Sequence, residues 1–184
     1  MSSKRPYRGI TGFNLIVTHE PGRDNYRYVD SVLNQYVEGL ILVDVAPAII
    51  LYRTSDPYKV VEELKKHRSE LQLVYRVIPV DIVVEPYVET VAEESSRLAI
   101  ERIPEDNTYR VTLHGRLYWR ETHSPAHTMD AIHLIAKKIP RKVSLSNPDY
   151  VVYIRSVKLY RRRRVATITV TKPENILSLV SGKP

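Results

Sequence analysis

The chain predicts an α+β fold in two consecutive domains, and its patterning carries this in three places. Up to about Val77, strand-length apolar runs and helix-spaced stretches follow one another in the order β-α-β-β-α-β, the ferredoxin-like arrangement. The segment from Pro79 to Pro86 then breaks the pattern with its two terminal prolines and marks a joint. Beyond it come a helix, an alternating strand, a second helix and a strand–turn–strand, an α/β series of its own. The expected boundaries are 1–80 for an N-terminal ferredoxin-like domain and 81–184 for an α/β domain.

Each element of the first half has a local reason. Met1 to Gly12 carries Lys4, Arg5 and Arg8 without periodicity and reads as a basic lead-in. Phe13 to Thr18 is an apolar run suited to a buried strand, and Pro21-Gly22 turns the chain. From Asn25 to Tyr36, Tyr28 or Val29, Val32, Leu33 and Tyr36 recur at helical spacing behind a possible N-cap at Asp24 or Asn25. Gly39 to Val45 and Ala48 to Arg53 are strands on either side of Pro47. Ser55-Asp56-Pro57 starts a helix, because proline at the first helical position lacks only an N–H that has no partner there. Val60, Val61 and Leu64 share one face of it, and Glu62, Glu63, Lys65 and Lys66 the other. Leu71 to Val84 is extended, with Pro79 bending it. Both helices would cover one sheet face and leave the opposite face for a partner or neighbouring domain.

The second half starts with a helix from Glu89 to Ile103, its stripe formed by Val91, Ser95, Leu98, Ala99 and Arg102. Thr108 to Trp119 alternates, so Tyr109, Val111 and Leu113 point one way and Arg110, Thr112 and His114 the other, with a bulge at Gly115. A helix is expected from Ser124 to about Lys138, burying Met129, Ile132, Ile135 or Ala136, and Ile139. Ser146-Asn147-Pro148-Asp149 is a turn before a Val/Ile/Tyr-rich strand. Arg161 to Arg164 then fall where the chain reverses into a second strand, which places four guanidinium groups at a hairpin tip. Glu174 to Ser181 reads as a short C-terminal helix ended by Gly182.

Composition narrows the function. The 184 residues contain no cysteine, which excludes disulfides, thiolate metal sites and cysteine catalysis and suits a cytoplasmic location. No apolar run approaches the roughly 20 residues of a membrane span, so no membrane partner is expected. A glycine-rich phosphate loop is missing, as are a nucleophile elbow and a supported pair of acids, so neither enzyme activity nor a cofactor is expected. The net charge of +7 points to an acidic partner, of which nucleic acid is the commonest.

The second half concentrates the basic residues. Arg110, His114, Arg116 and Arg120 come from one strand and its extension. Lys137, Lys138, Arg141 and Lys142 come from a helix end and the following turn, where they also complement the helix dipole. Arg155, Lys158, Arg161, Arg162, Arg163 and Arg164 come from the hairpin. Tyr109, Tyr118, Trp119, Tyr153 and Tyr160 are interleaved with them. Cations grip phosphates and aromatic faces stack bases, although tyrosine is also a favoured packing residue in strands, the reading given the larger weight here. Two other readings stay open. His123, His127 and His133, with Asp130 nearby, would serve a small metal-dependent enzyme, but Pro125 interrupts the helical spacing of the first two. A ferredoxin-like ligand-binding or protein-interaction module is the other.

Two stretches resemble a known family. Thr108-Tyr109-Arg110-Val111 is similar to the strand beside the basic patch of THUMP domains, small α/β RNA-binding modules of tRNA-modifying enzymes. Lys142-Val143-Ser144-Leu145-Ser146-Asn147-Pro148-Asp149 resembles that family's Val-Asp-Leu-x-Asn-Pro-Asp turn before a valine-rich strand. Ser144 stands where the family has Asp, and His114-Gly115-Arg116 replaces its basic pair. Arg76 to Val80 is similar to a segment of stand-alone THUMP proteins, the group that includes the adaptor of a tRNA cytidine acetyltransferase. The resemblance implies a THUMP RNA-binding domain over 81–184 and adds Asn147 to the candidate RNA-binding residues. It further implies a non-catalytic adaptor whose partners are tRNA and, in its most specific form, a tRNA cytidine acetyltransferase making N4-acetylcytidine.

Overall fold

Leu15, Val17, Ile50 and Tyr52 occupy alternate positions of two apolar runs, so pairing the runs puts all four on one sheet face. A computed structural model describes residues 12–160 and 163–181 and contains this pairing. Arg161 and Arg162, the lead-in residues Lys4, Arg5 and Arg8, and Gly182 lie outside the described residues. The described residues group into two compact units, 12–80 with 159–160 and 174–181, and 81–158 with 163–173.

In the N-terminal unit the elements are β1 (Leu15–His19), α1 (Asn25–Tyr36), β2 (Ile41–Ala46), β3 (Ile49–Arg53), α2 (Pro57–Lys65) and β4 (Val74–Pro79). The sheet order β4-β1-β3-β2, antiparallel throughout, is ferredoxin-like. Val29, Val32 and Leu33 of α1 and Val60, Val61 and Leu64 of α2 are buried in the same cluster as the alternate strand residues. Asp56 caps α2 by accepting from the Lys59 N–H at 3.2 Å, as the Ser-Asp-Pro start predicts. Asp24 makes no such cap. Its backbone is left-handed, and the Asn25 side chain instead donates to the carbonyls of Glu20 and Pro21. Ile16, Leu51 and Ile78, on the sheet face away from the helices, are also buried.

The C-terminal tail departs from the sequence expectation. Residues 174–181 were expected to form a helix of the second domain. A single helical turn at Pro173–Asn175 is instead followed by β10 (Leu177–Ser178), which pairs antiparallel with β4. A segment this short cannot recover the cost of helix nucleation, whereas strand pairing buries Leu177 on the first core.

The C-terminal unit contains β5 (Ile82–Val84), α3 (Val88–Arg102), β6 (Thr108–His114), α4 (Thr128–Lys137), β7 (Lys142–Val143), β8 (Tyr150–Lys158) and β9 (Arg164–Thr171). The sheet order is β5-β9-β8-β6-β7. β8 runs parallel to β6, as does β7, while β9 is antiparallel to β8 and to β5. Parallel neighbours need a long crossover, and α4 lies in the chain between β6 and β8. Tyr109, Val111 and Leu113 face the helices, with Val152, Ile154, Ala166, Ile168 and Val170 from the next strands. The strand alternation therefore stands as read.

The start of α4 does not. Residues 115–127 form a loop in which Tyr118 bridges both Tyr87 and Pro125. His123 takes a left-handed backbone, and regular helix begins only at Thr128. Met129, in the first turn, is exposed rather than buried, and Ala131, Ile135 and Ile139 carry the inner face. Gly115 opens this loop at φ +82°, and a Cβ there would meet the Ser156 carbonyl at 2.8 Å. A left-handed backbone and this close approach both call for glycine.

Two measurements test the first core. Leu177→Ala is expected to lower stability by about 2–3 kcal/mol, the usual loss for a buried leucine, read as a shifted urea midpoint. Tyr52, buried with its hydroxyl donating to Asp30 at 2.7 Å, has its pKa raised by burial first and by Asp30 second. The unfolded phenol releases its proton near pH 10 while the folded one keeps it. Stability is thus full below about pH 10 and falls as pH rises from there through the folded value. Tyr52→Phe is expected to cost about 1 kcal/mol at neutral pH and to flatten the decline above about pH 10.

Candidate nucleic-acid interface

A cation is available to phosphate only if it is exposed and not already committed. That test divides the candidate residues of the C-terminal unit. Arg102, at the end of α3, pairs with the buried Asp81 carboxylate at 2.6 Å and donates to the Val170 carbonyl at 3.1 Å. Arg141 donates through Nε to the Ile103 carbonyl at 2.8 Å and through Nη2 to Ile100 at 3.4 Å, so it caps the C-terminal end of α3. Arg120 is drawn to the start of α3, with its guanidinium on Thr90 at 2.7 Å and its backbone N–H on Glu89 at 3.0 Å. Arg155 is only 7% exposed and donates to the Tyr153 hydroxyl at 3.3 Å. These arginines serve the fold.

The exposed remainder falls at two ends of the second sheet. At the carboxyl ends of β6 and β8 stand Arg116 and Lys158, with His114 half-buried beside Tyr153 at 5.4 Å between ring centres. Arg164 opens β9 opposite Lys158, places its guanidinium 5.9 Å from the Tyr118 ring centre, and donates to Ser156 Oγ at 3.4 Å. Arg163 is half-buried and engaged. The described arginines therefore do not crowd a bare tip. The chain leaving β8 buries Leu159, and the Tyr160 N–H donates to the Asp44 carboxylate at 2.8 Å.

At the amino ends of β6 and β8 stand Lys137, Lys138, Lys142, Arg110 and Asn147, all exposed. The buried Tyr109 hydroxyl donates to the Ala136 carbonyl at 3.1 Å, which seats the last turn of α4, with Lys137, over the start of β6. Lys142 sits opposite Thr108 on the edge strand β7. Arg110 donates to the Leu145 carbonyl at 3.3 Å. Between the two ends lies β6, seven residues long, or about 20 Å by strand rise. The basic residues that the sequence reading pooled into one patch thus form two groups.

Sequence reading singled out the Asn-Pro turn but missed what its aspartate does. Asp149 accepts from the Thr108 N–H at 2.8 Å and from its hydroxyl at 3.1 Å, and the Asp149 N–H donates back to Thr108 Oγ1 at 3.1 Å. This reciprocal pair aligns the first residues of β6 and β8. The histidines do not converge. His123 meets the Tyr87 hydroxyl at 3.1 Å, His127 precedes α4, and His133 is exposed on it. Among the described residues no group of three or more His, Asp or Glu is placed to hold a metal ion. An open groove of about 640 Å³ lies by α2, lined by Asp56, Tyr58, Lys59, Glu62, Lys65 and Asn175, with charges of both signs. No described helix is long and apolar enough to cross a membrane.

No protein-family model and no curated protein sequence matches the chain. Solved structures do match. The chain is similar to PH1313 from Pyrococcus horikoshii Ot3, at 15% identity over 87% of this chain and 55% of that one, with a TM-score of 0.54. It is similar to a 4-thiouridine synthetase solved in complex with RNA and bound ATP, at 11% identity over 87% of this chain and 42% of that one, with a TM-score of 0.52. TrmN from Thermus thermophilus matches at 15% identity over 85% of this chain and 44% of that one, with a TM-score of 0.51. The arrangement fits a THUMP-type fold. The chain spans about half, or less, of the length of these structures.

The Asp149 clamp yields a test. Asp149→Ala is expected to lower stability by about 1 kcal/mol, the value of a lost hydrogen-bond pair at a solvated site. Asp149→Asn, which keeps one acceptor oxygen, is expected to lose less. Equal urea midpoints for all three proteins would show that the clamp contributes nothing.

Proposed function

We propose that the chain is a non-catalytic RNA-binding protein that binds tRNA and presents it to a separate tRNA-modifying enzyme. One observation carries the reading: a fold shared over most of this chain with a 4-thiouridine synthetase solved with RNA bears two groups of exposed cations about 20 Å apart. A small anion uses one such group. A structured RNA presents phosphates at that separation and uses both, releasing counterions at each. Shape rather than base sequence would then select the RNA. The acting residues are Arg116 and Lys158 at one end, and Arg110, Lys137, Lys138, Lys142 and Asn147 at the other. Arg163 and Arg164 add to the field of the first end, and Arg161 and Arg162, outside the described residues, stay candidates from the sequence. Arg120, Arg141 and Arg155 position the surface rather than touch phosphate.

The adaptor role and a cytidine N4-acetyltransferase as partner rest on the resemblance of the Asn-Pro-Asp turn and of Arg76 to Val80, and the cytoplasmic setting on the absence of cysteine. No specific observation favours the metal-enzyme reading or the ligand-module reading.

Two steps test the proposal. Filter binding to bulk tRNA is expected to show affinity falling steeply with salt. Replacing Arg116 and Lys158 by Ala should lower the log–log salt slope by about 2, or about 1 per lost phosphate contact, and replacing Lys137 and Lys142 should do the same. Binding that ignores salt, or is absent, overturns the RNA reading. RNA crosslinked to the protein in its native cells, sequenced with its co-purifying proteins, is expected to return tRNA and a cytidine acetyltransferase. Recovery of tRNA with a different modifying enzyme would reassign the partner.

A further inference from the structure

We propose that Arg155 holds a small free oxyanion of the phosphate or sulfate class, at a site that does not depend on the RNA reading above. Arg155 is only 7% exposed, and a guanidinium stays charged wherever it is placed. A buried charge is costly unless it is paired and hydrogen-bonded. Arg102 shows how this chain settles such a cost, with the buried Asp81 carboxylate at 2.6 Å. Arg155 has no counterpart of that kind. Of the five N–H donors of a guanidinium, the one in use is on Nη1, which donates to the Tyr153 hydroxyl at 3.3 Å. Among the described residues no carboxylate forms an ion pair with it.

The strand register explains why no acid is at hand. Arg155 lies opposite His114 on β6 and Thr167 on β9, so all three share the sheet face away from α3 and α4. No Asp or Glu occupies a same-face position of β6, β8 or β9. Thr167 is buried, and its hydroxyl is spent on the Arg155 carbonyl at 3.1 Å. Tyr153, also buried, accepts from Nη1 and keeps its own O–H to donate. The spare capacity here is donor capacity, which an anion meets and a cation or an apolar group does not. A guanidinium offers two parallel N–H groups to an oxyanion, the geometry of its strongest pairs. Among the described residues, the sealed side-chain atoms that lack a partner are His19 Nε2 and Ser95 Oγ. The spare Arg155 nitrogens are not among them, so solvent reaches them. So small an opening suits a free ion and not an RNA backbone.

The test is thermal unfolding of the full chain in inorganic phosphate against chloride at matched ionic strength, together with calorimetric titration of phosphate. Phosphate also stabilises proteins in general by exclusion from their surface, and Arg155→Met should keep that unsaturable part. The unaltered chain is expected to gain a further, saturating rise in Tm of about 2–4 °C at roughly five times the Kd, and to titrate with a single phosphate. Arg155→Met should lose both. Arg155→Lys keeps the charge without the fork and should bind phosphate roughly 10-fold more weakly. It carries the test if the methionine variant does not fold. Equal rises in the unaltered chain and Arg155→Met, or an unchanged affinity in Arg155→Lys, overturn the site. A dinucleoside monophosphate offers only a chain phosphodiester, and an Arg155-dependent rise with it overturns the assignment to a free ion.

Discussion

The C-terminal unit depends on keeping β6 and β8 side by side and parallel. No tight turn can join parallel neighbours, so their alignment has to be fixed by something other than a hairpin. Asp149 supplies it by closing on Thr108 from both directions, carboxylate to N–H and hydroxyl, and N–H to hydroxyl. With the two first residues aligned, Tyr109 falls beneath α4 and can donate to Ala136. A one-residue slip would turn Tyr109, Val111 and Leu113 out of the core and Arg110 and His114 into it. The position of every candidate cation on this sheet follows from that register.

The charge of this unit is therefore of two kinds. Arg102 is tied to Asp81 and Val170, Arg120 to Thr90 and Glu89 at the start of α3, and Arg141 satisfies the Ile100 and Ile103 carbonyls at the C-terminal end of α3. Groups at such a terminus have no partner within the helix, and a planar guanidinium reaches several of them at once. Lysines at the end of α4 and on β7 remain in solvent. Exposed lysine on an edge strand also discourages pairing with another chain, so Lys142 has a structural use even without RNA. Composition counts all of these alike. The net charge of +7 cannot tell a capping arginine from a phosphate contact.

How much was legible follows from the range of each signal. Helices α1 and α2 and strand β6 were readable because their periodicity is local and uninterrupted, and the order β-α-β-β-α-β leads to the ferredoxin-like sheet. The tail was not, because β10 is two residues long and exists only against β4. The start of α4 was misread because Ser124-Pro125 mimics a helix start, while one of the two bridges of Tyr118 in this segment, to Tyr87, is long-range. The candidate site was legible as residue types. Burial decided the rest: Arg155 and Lys158 look equivalent in a basic strand, yet one is covered and the other is free.

Fixing some charges and freeing others has a consequence for recognition. A flexible basic tail would bind any polyanion, since nothing constrains where its charges lie. Here β6 sets a spacing of about 20 Å between two groups of cations, and the arginines spent on α3 help to hold that spacing. Phosphates at a different separation would satisfy one group and leave the other solvated, which lowers affinity by the counterions not released. On the proposed RNA-binding reading, selectivity for RNA shape would arise from the rigidity of the sheet. It requires no base contact, so it is compatible with a surface that accepts many tRNAs of one shape.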